Sequence, residues 1–255
     1  MFLKNSAMKT NWLLLVHHDP VLDPRIDWIC RHCPKGINIS TLAYFENWNT
    51  GECGIMHNSH TRKYKEVVKN FKFDTAMDYL ADELESREKE SLQKPARIKA
   101  YFETAFQLLC FSIRDTNLSA QPYLKQKESK NEMAIFASKI KYLYECSRGL
   151  IAYQSYMEQR PSGIIASDFY TLFAGVYLKL LWDCPLIYEA HEYFSEEVPN
   201  VPNNIRSFWK TMEMNLCRHT NKRFIVTKEL GNIAKKELGL PFIEMLNAVP
   251  FADPI

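Results

Sequence analysis

Residues 161–194 read PSGIIASDFYTLFAGVYLKLLWDCPLIYEAHEYF, and this stretch decides the fold. The apolar run Ile164-Ile165-Ala166 ends in Ser167-Asp168. Leu172, Phe173, Val176, Tyr177, Leu180 and Leu181 then recur every three to four residues, the spacing of one helical face. A second apolar run, Leu186-Ile187-Tyr188, ends in Glu189-Ala190-His191-Glu192. Strand, helix, strand at this length is a parallel crossover, and such connections are right-handed. Both runs finish in titratable residues, and in an open α/β sheet ligands bind just beyond the carboxyl ends of the strands. The stretch predicts a ligand crevice without naming the ligand.

Upstream, Asn11 to His17 (NWLLLVH) is a short continuous apolar run, the pattern of a buried parallel strand, closed by His17-His18-Asp19-Pro20. Asp23-Pro24-Arg25 opens a helix, because Asp caps well and Pro favours the first helical position. Ile26, Ile29 and Cys33 form its inner face, Pro34-Lys35-Gly36 ends it, and Ile37 to Phe45 is a second strand. This βαβ unit is of the Rossmann kind but lacks a Gly-x-Gly-x-x-Gly loop, which argues against NAD or FAD. Residues 46–62 read as a polar connection with one short strand.

From Asp74 to Arg160 the pattern is helical, with segments 74–92 and 96–114, a polar break near 115–131, and a helix from Glu132 to about Gln159. Downstream, Ile205 to His219 is an amphipathic helix with Phe208, Met212 and Leu216 inward. Phe224 to Val226 is a short strand ending in Thr227-Lys228, followed by a helix from Glu229 to Leu238 and a last strand from Phe242 to Leu246. About six strands interleaved with helices predict an α/β fold: a Rossmann-like, open, mostly parallel sheet with helices on both faces.

Bulk composition excludes several classes. A net charge of +2 is too mild to imply nucleic acid, and no apolar run reaches the roughly 20 residues that span a bilayer. The apolar core of MFLKNSAMKTNWLLLVHH is too short for a signal peptide. Seven scattered cysteines argue against a disulfide framework and for a reducing, cytoplasmic setting.

With these residues laid out, the chain resembles the N-terminal domain of retaining GT-B glycosyltransferases of the family 4 type. Asp23-Pro24-Arg25 is similar to the "DpR" that opens the first helix of many members. GIIASDFYTLFAG and PLIYEAHEYFSE resemble the family's strand–helix segment and its "Y-D-x-H-E" element. Trp209 to Glu213, RFIVTKELGNIAKKELG and MLNAVP follow in the family's order. The likeness is good over residues 161–250, fair over 11–45 and absent in the helical middle.

The resemblance implies one acceptor-side domain over residues 1–255, with a helical insertion at 74–160. Residues 247–255, including Asn247, become a linker towards a C-terminal donor-binding domain outside this chain. The complete enzyme moves a sugar, with retention, from a nucleotide-sugar to a glycan or lipid-linked acceptor, as in polysaccharide biosynthesis. This half alone is expected to be inactive. No metal and no cofactor is implied beyond the nucleotide-sugar co-substrate, which the missing domain mainly holds. Expected partners are a separate C-terminal domain and, peripherally, the inner face of the membrane.

His191 is the catalytic candidate, because an imidazole at a strand end stabilises charge developing on oxygen. His17, His18, Asp19, Asp23, Arg25, Asp168, Glu192, Thr227 and Lys228 are the substrate-binding candidates. Plainer readings stand beside them: Asp168 as a helix cap, Arg25 in a helix-surface ion pair, and Glu192 accepting N–H groups of the next turn. Cys30-x2-Cys33 with Cys53, His57 and His60 has the composition of a zinc set, but the first two also read as helix core. An aromatic stripe from Tyr101 to Ile113 reads as core, or as a surface for a lipid-linked acceptor. Two other functions compete: a non-catalytic binding or scaffold module that pairs with a separate donor-binding partner, and an unrelated α/β nucleotide-binding protein.

Overall fold

The computed structural model describes residues 10–46, 52–69, 130–194 and 203–245. Eight strands form one sheet: β1 (Thr10–Val16), β2 (Ile37–Glu46), β3 (Cys53–His57), β4 (His60–Lys63), β5 (Gly163–Ser167), β6 (Leu186–Ala190), β7 (Lys222–Ile225) and β8 (Ile243–Glu244), in the order β4-β3-β2-β1-β5-β6-β7-β8. Across the run β2-β1-β5-β6-β7-β8 every pairing is parallel, and β3 and β4 add antiparallel at the β2 edge. The described helices are α1 (Pro24–Arg31), α2 (Tyr64–Lys69), α3 (Lys130–Ala152), α4 (Phe169–Trp182), α5 (Asn203–Arg218) and α6 (Lys228–Leu238).

The central strand shows why the sheet needs cover on both sides. Leu13 and Leu15 enter the large core with residues of α3 to α6, while Leu14 and Val16 enter a smaller core against Ile26 of α1. All four are fully buried, and each such side chain contributes roughly 1.5–3 kcal/mol. On α4 the close approach to the sheet requires a glycine. A Cβ at Gly175 would lie 3.0 Å from Leu186 Cδ1 and 3.2 Å from Ala166 Cβ, so the helix rests directly on β5 and β6.

Several expectations are corrected. The segment 46–62 holds two strands rather than one, because the Asn58-Ser59 turn, with Asn58 at φ 53°, folds β3 back onto β4. Leu180 and Leu181 do not join the core: both are more than two-fifths exposed near the α4 terminus. Cys33 lies beyond α1, which ends at Arg31. Beyond Ala152 the third helix tightens into a 3-10 turn over Tyr153–Tyr156. The helices expected at 74–92 and 96–114, the aromatic stripe and the linker at 247–255 lie outside the described residues. Among those described, no helix is long and apolar enough to cross a membrane.

Candidate functional site

The chain leaves β1 towards β2 on one side, then returns to build β5 and β6 on the other side of β1. The connections at the ends of β1 and β5 therefore diverge, which opens a crevice at this switch point. His17 and His18 follow β1, Asp168 follows β5, and His191 follows β6.

Asp168 is the hub. Its backbone sits at φ 67°, ψ 162°, a region that costs a residue with a Cβ about 1–3 kcal/mol. It occupies the N-cap position of α4, but its side chain makes no capping hydrogen bond. The Thr171 hydroxyl instead ties down the first turn by donating to the carbonyls of Ser167 (2.7 Å) and Asp168 (3.1 Å). The freed carboxylate faces the crevice. Oδ1 accepts the His191 backbone N–H at 3.3 Å, and Oδ2 lies 3.1 Å from His191 Nδ1 and 3.2 Å from His17 Nε2.

The His191 ring is buried between two carboxylates, with Nε2 2.8 Å from Glu189 Oε1 on the side away from Asp168. Ser167 Oγ donates to Glu189 Oε2 at 3.1 Å and fixes that carboxylate. Burial acts to lower the His191 pKa, but the bonds to Asp168 and Glu189 outweigh it and push the value up to about 9. Burial likewise acts to raise Asp168, and the histidines on either side hold it well below the usual carboxylate range. Asp168 and an imidazolium at His191 thus stabilise each other.

A second layer stands behind. His18 Nε2 meets Asp23 Oδ2 at 2.8 Å, and Arg25 grips Asp23 through Nε (2.9 Å) and Nη2 (2.7 Å). Asp23 also caps α1, accepting from the Arg25 backbone N–H. Burial acts against its charge, yet Arg25 draws its pKa down to about 2. Tyr142 of α3 donates its hydroxyl to the His17 carbonyl, so the end of β1 is anchored from above.

The result is a cleft of about 230 Å³. His17, Arg25, Asp168, His191 and Glu192 supply its polar lining, and Phe169, Tyr170 and Phe194 its aromatic lining. Phe169 and Phe194 stack at 4.3 Å, Tyr170 meets Phe194 edge-on at 5.1 Å, and Lys139 Nζ lies 4.7 Å over the Phe194 ring.

Five sequence candidates thus share the cleft, with His18 and Asp23 immediately behind them. Asp19 instead caps the 3-10 turn over Pro20–Leu22, and Thr227 caps α6 by accepting from the Leu230 N–H. Lys228 is exposed at the start of α6, and neither it nor Thr227 lines the cleft. The zinc-type set does not converge: Cys30 faces Thr41, Cys33 donates to the Ile37 carbonyl, and Cys53 accepts from Tyr44. Sequence reasoning missed Glu189 as a site residue. Its signal was a charge within the apolar run LIYEA, on a strand buried from both sides. Phe194 and Tyr142 carried no such signal, since aromatics at those spacings read equally well as core.

No protein-family model matches the chain, and no curated protein matches it. Fold and site together define a Rossmann-like α/β fold with a cleft of titratable and aromatic residues at the switch point of its sheet.

Proposed function

We propose that the chain is the acceptor-side domain of a retaining GT-B glycosyltransferase, binding a glycan or lipid-linked acceptor while a second domain supplies the nucleotide-sugar. The observation that carries this reading is the direct bonding of Asp168 to His191 in a cleft that Tyr170 also lines. Sugars present hydroxyls on their edges and C–H groups on their faces. Carboxylates at Asp168 and Glu192 suit the first, and the half-buried ring of Tyr170, backed by the buried Phe169 and Phe194, suits the second. Six of the eight residues that line the cleft fall in the stretches GIIASDFYTLFAG and PLIYEAHEYFSE that carry the family likeness.

In this reading His191 works through its charge. Both ring nitrogens are engaged by carboxylates, so the imidazolium stabilises negative charge developing on a departing phosphate across the cleft, and does not shuttle a proton. The same engagement favours a second reading, a non-catalytic module that binds the glycan and pairs with a separate partner. Saturation-transfer NMR of the full chain against a panel of oligosaccharides and UDP- and GDP-sugars tests the binding. Glycan contact that Asp168→Asn removes is expected; affinity for a nucleotide-sugar tighter than micromolar would instead identify a nucleotide-binding protein. With a donor-binding domain supplied, His191→Ala is expected to lower turnover about 100-fold, the scale of losing one charge-stabilising donor. Unchanged turnover would leave the non-catalytic module.

A further inference from the structure

We infer that His17, His18 and Asp168 form a binding site for a divalent transition-metal ion of the zinc type, open to the cleft. The inference goes beyond the sugar-transfer reading and shares Asp168 with it, but its test does not depend on that reading. It also runs against the expectation of a metal-free protein, which rested on family likeness alone. Among the described residues this is the group of metal-ligating side chains that comes together, with one ligand atom from each within 4.8 Å of the others. His17 Nε2 and Asp168 Oδ2 stand 3.2 Å apart, close to the edge of a tetrahedron whose metal–ligand bonds are about 2.0–2.1 Å. Two imidazoles and one carboxylate suit zinc, cobalt or nickel and suit magnesium or calcium poorly.

The surroundings hold each donor from behind. Asp23 Oδ2 takes His18 Nε2 at 2.8 Å and is itself held bidentately by Arg25, which leaves His18 Nδ1 with its lone pair. A metal-bound histidine gives its second nitrogen to a carboxylate in this way. His191 holds Asp168 through both its backbone N–H and its ring, and the His17 ring is boxed at 5.0 Å by His18 and 5.2 Å by Tyr170. The donors sit at the ends of β1 and β5, paired strands of a rigid parallel sheet. His17 and Asp168 both face the cleft, so a water or a ligand hydroxyl can complete the coordination.

Cobalt titration of the untagged, chelator-stripped full chain tests the site. The expected result is one Co2+ per chain, with the visible absorption of four-coordinate cobalt and without the near-ultraviolet thiolate band. Zinc should compete with it. His17→Ala and His18→Ala should abolish the signal, Asp23→Asn should weaken binding about 10–100-fold, and Cys30→Ser and Cys53→Ser should leave it unchanged. Metal-free melting of each variant against the metal-free parent checks folding, with His18→Asn as substitute if His18→Ala unfolds. A thiolate band, full binding in either folded His18 variant, or no saturable binding by the parent would overturn the assignment.

Discussion

Two acids beside the same sheet end in opposite states. Asp168, on the rim, accepts from the His191 backbone and faces the rings of His191 and His17. Among the described residues Glu213, on the inner side of α5, accepts only the Tyr188 hydroxyl at 3.0 Å, and its Oε2 has no partner. Both are largely out of water. Burial acts to raise both, and at Asp168 the histidines reverse it. At Glu213 burial wins over the one phenol and pushes the pKa up to about 8. The rim therefore carries charge and the core carries a neutral acid. What separates a site from a packing residue here is the number of donors aimed at the carboxyl.

The sharpest way to break this contrast is a pH series on Glu213→Gln. The native carboxyl keeps its proton until about pH 8, whereas the unfolded one loses it near 4.5. Its contribution is thus complete below pH 4.5 and drains away as pH rises towards 8, by about 1.4 kcal/mol per unit. The Gln variant lacks this loss. Denaturant melts should find it close to the parent at pH 4.5 and clearly more stable at pH 7.5; parallel curves would mean that Glu213 is ionised in the core.

Next in size is Asp168→Ala. It removes an acceptor bonded to charged and neutral N–H groups while keeping the strained backbone, and should cost about 2–4 kcal/mol at pH 7. Asp168→Gly loses the same bonds but relaxes φ 67°, so it should recover about 1 kcal/mol of that cost. Equal melting of the two variants would show that the backbone there is unstrained. Glu189→Gln should have the smallest effect, about 1 kcal/mol in stability, together with a downward shift of the His191 titration in NMR. A His191 titration that stays put would assign its elevation to Asp168 alone.

Much of the fold was legible along the chain. The Ile164–Ala166 and Leu186–Tyr188 runs became β5 and β6, and Asp23-Pro24 capped and started α1 as its residue types dictate. The β3–β4 hairpin was not, because β4 (HTRK) is exposed throughout and carries no apolar alternation. Leu180 and Leu181 misled in the opposite way: helical spacing marks a face, but whether anything covers that face near the helix end is not local information. At the site, titratable residues at strand ends were visible, and their division of labour was not. Asp168 and Thr227 sit at the same kind of strand-to-helix corner, yet one caps its helix and the other turns away.

The chain alone placed β1, β2, β5, β6 and β7 with α1, α4, α5 and α6, and showed which of those strands end in acids and histidines, because those signals have periods of two to four residues. Tertiary structure alone decided that β5 lies beside β1, bringing Asp168 to His17 across 151 residues of chain. It also decided that Glu189 and Asp168 hold one imidazole between them. Charge states at the rim follow from those meetings, since a carboxylate's pKa is set by its burial and by the donors within about 3 Å, wherever in the chain those donors lie.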